Sequence, residues 1–120
     1  MVVQSPPLDQ NLSREVTQLH AEFCSAIADV NRILILYVLH QKPTTVNELA
    51  QAIGVSQPTT SRHLKILRDS GLVQSERQGV NVEYRLVDSR VINALDTMRA
   101  IMRDRISQRA NIVDSLFENT

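Results

Sequence analysis

A single cysteine, Cys24, rules out an intrachain disulfide and a zinc site built from several thiolates of one chain. Tryptophan is absent and aromatics make up only 3% of the residues, so any core must be assembled from Leu, Ile, Val and Ala. No apolar run approaches the ~18 residues of a membrane span. The first ten residues, MVVQSPPLDQ, lack the basic start and apolar centre of a signal peptide. A cytoplasmic protein without a membrane partner is therefore expected. There is no phosphate-cradling glycine loop and no Ser/His/Asp set at a recognisable spacing, so an enzyme is not expected and no cofactor is assigned. Length places all 120 residues in one domain.

Formal net charge is zero, which argues against wholesale phosphate binding, but the charge is unevenly placed. Residues 56–85 carry five basic and three acidic side chains, net +2, whereas residues 1–55 carry three basic and five acidic, net −2. The basic excess falls on the stretch around which the chain is organised. Thr45-Val46-Asn47-Glu48 has the form of a capping box, in which the Thr hydroxyl serves the amide three residues on. Gly54 suits a left-handed helix end. Ser56 is a second N-cap, with Pro58 tolerated in the first turn of a helix running to about Asp69. Residues 72–77 and 82–87 alternate as strands, joined by a Gln78-Gly79-Val80-Asn81 turn. Two short helices around a tight turn, followed by a hairpin, are the order of a winged helix-turn-helix, with residues 45–71 as the helix-turn-helix and 72–87 as the wing.

Flanking segments read as helices. Pro6 and Pro7 predict an irregular arm over residues 1–8. Leu12, Val16, Leu19, Phe23, Ala26 and Ile27 then recur at spacings of three and four. Asp29 is a plausible N-cap for a helix that is apolar around most of its circumference, and so belongs at the centre of the core. From residue 88, Val91, Leu95, Met98, Met102, Ile106, Arg109, Val113 and Leu116 lie mostly on one side of a long helix. A helix of that length exceeds what a small domain needs for its own core. Residues 9–28 and 88–117 are accordingly expected to pair two copies as a homodimer. The alternative is a terminal helix folded over its own subunit. The expected fold class is mainly α with a small β-hairpin.

Helical periodicity divides the Ser56–Asp69 helix. Thr60, Leu64 and Leu67 share one side. Arg62 and Lys65 lie opposite, with Gln57 and Thr59 at the N-terminal turn. Gln57 can pair bidentately with adenine and Arg62 with guanine, and the methyl of Thr59 or Thr60 suits a thymine methyl. Ser56, Ser61 and Lys65 suit phosphates. Arg77, Gln78 and Asn81 in the wing suit the minor groove or backbone. Double-stranded DNA is thus the expected partner. The competing reading is a winged-helix module that binds protein and not DNA.

Particular strings sharpen this. Asp29-Val30-Asn31-Arg32-Ile33-Leu34-Ile35-Leu36 resembles the "DPTRLRIL" helix of the ArsR/SmtB family of winged-helix repressors, with Val30 in place of Pro and Asn31 where Thr is common. Glu48-Leu49-Ala50 resembles its "ELA" segment. The run from Ser56 to Leu67 (SQPTTSRHLKIL), ending in Gly71-Leu72-Val73, resembles "SQSTVSRHLKVL…AGLV". Arg77-Gln78-Gly79 and Tyr84-Arg85-Leu86 match "R-x-G…YYRL". The likeness covers about residues 26–87 and implies a DNA-binding regulator, expected to be a homodimeric repressor. At its family-like position His63 is expected to act structurally or on phosphate. Two metal sites recur in the family. One uses a Cys-x-Cys motif in the third helix, where this chain has Glu48-Leu49-Ala50-Gln51-Ala52. The other uses Asp and His on the terminal helix, where this chain has Asp96, Asp104 and Asp114 but no histidine, and carboxylates alone hold transition metals poorly. The family's metal response is therefore not carried over.

His20 and Cys24, four residues apart on one helical face, leave three readings open. They form half a metal site completed by a symmetry mate, or a thiol redox switch at Cys24, or simply a small buried cysteine beside a half-exposed histidine. An effector is allowed for but not named by the sequence.

Overall fold

The computed structural model describes residues 8–118, so the arm expected over residues 1–8 lies, but for Leu8, outside them. The chain divides after Val87 into two compact units.

In the first unit, Asp9 caps helix α1 (Gln10–Leu19) by accepting the Asn11 amide at 3.1 Å. The helix continues through a π-helical turn, His20–Cys24, into the short α2 (Ser25–Ile27). Such a turn absorbs one extra residue without breaking the helix, which spacing alone does not reveal. Asp29 then caps α3 (Val30–Gln41), its Oδ1 accepting the Asn31 and Arg32 amides at 2.8 and 3.3 Å. Ile35, Leu36 and Leu39 of α3 are buried, and α3 packs on α2, α4, α5 and β3, so it is the core helix the sequence predicts.

Pro43 follows the end of α3, and the chain forms a two-residue strand, β1 (Thr44–Thr45), before α4 (Val46–Ile53). Thr45 is at once the end of β1 and the N-cap of α4, accepting the Glu48 amide at 3.3 Å. The Glu48 carboxylate in turn accepts the Thr45 hydroxyl. Gly54 closes α4 in the left-handed region (φ +70), and Ser56 caps α5 (Gln57–Asp69). The wing is β2 (Val73–Gln78) and β3 (Asn81–Leu86), antiparallel, with Gln78 opposite Asn81. Gly79, the first of the two loop residues, takes φ +63, and no non-glycine residue among those described has positive φ, the pattern of a type II′ hairpin. The sheet has three strands in the order β1-β3-β2, with Thr44 opposite Tyr84 and Thr45 opposite Glu83. The expected two-stranded hairpin is thus enlarged by one strand, because Thr44 and Thr45 find ladder partners in the distant β3. Leu49, Leu64, Leu67 and Val73 complete this unit's core. Each fully buried Leu contributes about 1.5–3 kcal/mol relative to exposure.

The second unit is one helix, α6 (Arg90–Glu118). Asp88 caps it through the Arg90 amide at 2.9 Å and grips the Arg90 guanidinium at 2.7 Å. Bonding from Arg90 outweighs desolvation and lowers the Asp88 pKa to about 2. Ile92 and Leu95 are buried, whereas Met98, Ile101, Met102, Ile106, Val113 and Leu116 are exposed. Among the described residues no single helix is long and apolar enough to cross a membrane.

Candidate nucleic-acid interface

Helix α5 is divided by its packing. Leu64 and Leu67 are fully buried against the unit's core, which fixes the rotation of the helix about its own axis. That rotation leaves Ser56, Gln57, Ser61, Arg62 and Lys65 exposed and Thr59 half-exposed. At the N-terminal turn the Ser56 hydroxyl accepts the Thr59 amide at 3.4 Å and lies 3.0 Å from the Thr59 hydroxyl. The Arg62 guanidinium donates to that same Thr59 oxygen at 3.1 Å. Thr59 therefore keeps the Arg62 fork over the first turn of the helix.

Thr60 requires a correction. It is wholly buried, and its hydroxyl donates to the Ser56 carbonyl at 2.9 Å. Its methyl has no surface to offer a base, so of the two threonines only Thr59 remains a candidate. The sequence periodicity already put Thr60 on the inward side, and that signal outweighs its proximity to the helix start.

His63 is drawn into the unit and away from the exposed face, its side chain 13% exposed. Its Nδ1 lies 3.3 Å from Nη1 of Arg32. A guanidinium only donates, so Nδ1 accepts and Nε2 carries the ring proton. Nε2 faces Asp29 Oδ1 at 3.9 Å, too long for a hydrogen bond. Desolvation pushes the Asp29 carboxyl up, but the Arg32 and Asn31 amides and the Arg32 charge outweigh it and hold the pKa below the usual carboxylate value. Sequence reasoning treated Asp29 as a cap alone and gave Arg32 no role. Their meeting with His63 is visible only once α3 and α5 are packed.

In the wing, Arg77, Gln78 and Asn81 are exposed at the hairpin end, where Arg77 pairs with Val82. Arg85, at the root, is engaged. With the Gln74 amide in the orientation its neighbours require, its oxygen accepts Arg85 Nε and Nη2 at 2.7 Å, and Glu76 lies 3.6 Å away.

His20 and Cys24 both lie in the π-helical turn, and both are exposed. Within one chain Cys24 is therefore not buried, because the α1 stripe faces solvent. No group of three or more His, Cys, Asp or Glu that could hold a metal ion occurs among the described residues.

Residues 29–75, which hold the α3 cap, the helix-turn-helix and the start of the wing, match the family described as "Bacterial regulatory protein, arsR family". The chain is 38% identical over 92 residues to the HTH-type transcriptional regulator NmtR of Mycobacterium tuberculosis, covering 77% of this chain and 73% of that one. The chain belongs to the ArsR family. A second relative of this ArsR-family chain is the HTH-type transcriptional repressor SmtB of Mycobacterium tuberculosis, 43% identical over 75 residues, or 62% of this chain and 56% of that one. The chain thus spans little more than half of that repressor. The crystal structure of NolR from Sinorhizobium fredii superposes with a TM-score of 0.70 at 32% identity, covering 81% of this chain and 96% of that one. As a member, the chain is a winged helix-turn-helix transcriptional regulator, with α4 and α5 as its helix-turn-helix and the β2–β3 hairpin as its wing.

Proposed function

We propose that the chain acts as a homodimeric cytoplasmic repressor that lays α5 in the DNA major groove and sets the wing tip against the flanking backbone or minor groove. The observation that carries this reading is the division of α5. Leu64 and Leu67 anchor it while Gln57, Ser61, Arg62 and Lys65 are exposed on its other side. The chemistry of each suits a duplex. Gln57 matches the adenine edge, Arg62 the guanine edge and the Thr59 methyl a thymine. Ser56, Ser61 and Lys65 meet phosphates, assisted by the free amides at the helix start. Arg77, Gln78 and Asn81 extend the contact outward. His63 supports the helix from behind and does not read a base.

Two copies are supported by apolar faces that one chain leaves uncovered. Leu12, Val16 and Leu19 in α1 are 48%, 51% and 48% exposed, and Met98, Met102 and Ile106 in α6 are 51%, 55% and 58% exposed. A two-fold axis through such a seam repeats α5 across one face, which calls for an imperfect palindrome with half-sites about one helical turn, ~34–36 Å, apart. An effector that binds better to a spacing unsuited to DNA would empty the operator by population shift.

The test is selection from a randomised duplex pool with reduced protein, followed by titration of the enriched and a scrambled duplex across a salt series. The expected result is a palindromic site bound by two chains with a steep salt slope. Equal, weak binding to both duplexes would overturn the reading and favour a protein partner.

A further inference from the structure

Three groups from separate places in the first unit converge on Arg32. Its Nε donates to the Ala26 carbonyl and its Nη2 to the Ser25 carbonyl at 3.4 Å, which satisfies the open end of α2. Its Nη1 donates to Nδ1 of His63 in the middle of α5 at 3.3 Å. Its own amide is held by Asp29, whose carboxylate also faces the other nitrogen of His63. Around this junction the two helices do not close on each other. An open groove of about 420 Å³, lined by Ala21, Glu22, Ser25, Arg32, Ile66 and Asp69 among others, lies between the end of the N-terminal helix and the end of α5. The Arg32 guanidinium, its donors fixed in a plane, crosses from one to the other beside the small apolar surfaces of Ala21, Ala26 and Ile66.

We infer that Arg32 is a positioning residue that sets the angle of α5 to the N-terminal helix, and through it the half-site spacing the dimer accepts. This rests on the DNA-binding reading above. The physical reason is the geometry of the fork. Three donors in one rigid plane, bonded to two carbonyls of α2 and one ring nitrogen of α5, restrict rotation as well as distance, which a Lys ammonium on a flexible stem does not. His63 is the end of this strut on α5, and this gives its buried ring a purpose beside a DNA-facing surface. Spacing selectivity needs such rigidity. One inserted base pair turns a half-site by about 35° and moves it by about 3.4 Å, so an α5 free to swing by that much no longer distinguishes the two operators.

Two measurements test this. The first needs no DNA. Spin labels at Gln18→Cys and Gln57→Cys, in a Cys24→Ser background diluted with unlabelled chain, report the distance between α1 and the start of α5. All variants are compared at a temperature where circular dichroism shows full helicity. One narrow distance is expected for the parent, a broad distribution for Arg32→Ala, an intermediate one for Arg32→Lys, and no change for the exposed Arg68→Ala. The second compares a duplex selected by the wild-type protein with the same duplex carrying one extra base pair between half-sites. Wild type should separate the two by at least about a hundredfold and Arg32→Ala by less than about tenfold, a fraction of the usual specific-to-non-specific ratio. Leu39→Val, a core change that lowers stability without touching the strut, should keep the wild-type ratio. A narrow distance in Arg32→Ala, or an equal loss of affinity for both duplexes, overturns the inference. If the wild type selects no duplex, the DNA-binding reading fails and the label distances alone decide on the strut.

Discussion

Arg62 and Lys65 are both exposed on α5, yet their removal should have different consequences. In the free protein Arg62 donates to Thr59 at 3.1 Å, a bond that must be given up when its fork turns to a base. A surface hydrogen bond of this kind is worth about 0.5–1.5 kcal/mol net. A bidentate Arg–guanine pair discriminates by about 1–3 kcal/mol. Two half-sites double that, so Arg62→Ala should cost about 2–6 kcal/mol at the cognate operator, roughly 30-fold to 10⁴-fold in affinity, and nearly nothing at an operator altered at that base pair. Lys65, as a point charge on phosphate, should behave otherwise. Lys65→Ala should weaken all duplexes alike and lower the salt slope by about 0.9 per protomer, about 1.8 for the dimer. Fluorescence anisotropy at four or more salt concentrations, on the selected duplex and its single-base variants, separates the two patterns. If Arg62→Ala weakens every sequence equally with a reduced slope while Lys65→Ala relaxes one base pair, the assignment of base reader and phosphate anchor is refuted.

Three further outcomes are expected. Val16→Asp together with Met102→Asp should turn the dimer into monomers in sedimentation, with near-native helicity at low temperature; a persistent dimer would show that the α1 and α6 faces are not the seam. Gly79→Ala should destabilise the wing by about 1–2 kcal/mol through its left-handed φ alone, since an added Cβ meets nothing within 4 Å; an unchanged denaturation midpoint would contradict a strained turn. Asp88, whose pKa is lowered to about 2 from 3.8, contributes stability that is present above pH 3.8 and lost as pH falls through about 2. Asp88→Asn should remove that acid dependence from hydrogen exchange at the first amides of α6, and an identical profile in both proteins would count against the cap.

The helix starts were readable in the sequence because their causes are local: Asp29, Thr45 and Ser56 each accept an amide two or three residues ahead. The outward side of α5 was readable for the same reason, since periodicity fixes which residues share Leu64's side. What escaped depends on distant partners. Thr44 and Thr45 become a strand only because Tyr84 and Glu83 lie alongside, and nothing in two threonines before a helix announces that. Arg32 reaches carbonyls six and seven residues back and a ring 31 residues on. The exposure of Cys24 within one chain was not legible either, because an apolar stripe predicts burial without saying in which chain.

The short strand β1 also bears on how the reading head comes together in time. It joins residues 44–45 to residues 83–84, so completing the sheet closes the polypeptide that makes α4 and α5 into a loop. The hairpin can zip early, but its third partner arrives by closure of a loop that contains the whole helix-turn-helix. Amides of β3 near Tyr84 and amides at the start of α4 should therefore open and close together as one cooperative unit, and damage at the wing root should be felt as faster exchange at the first turn of α4.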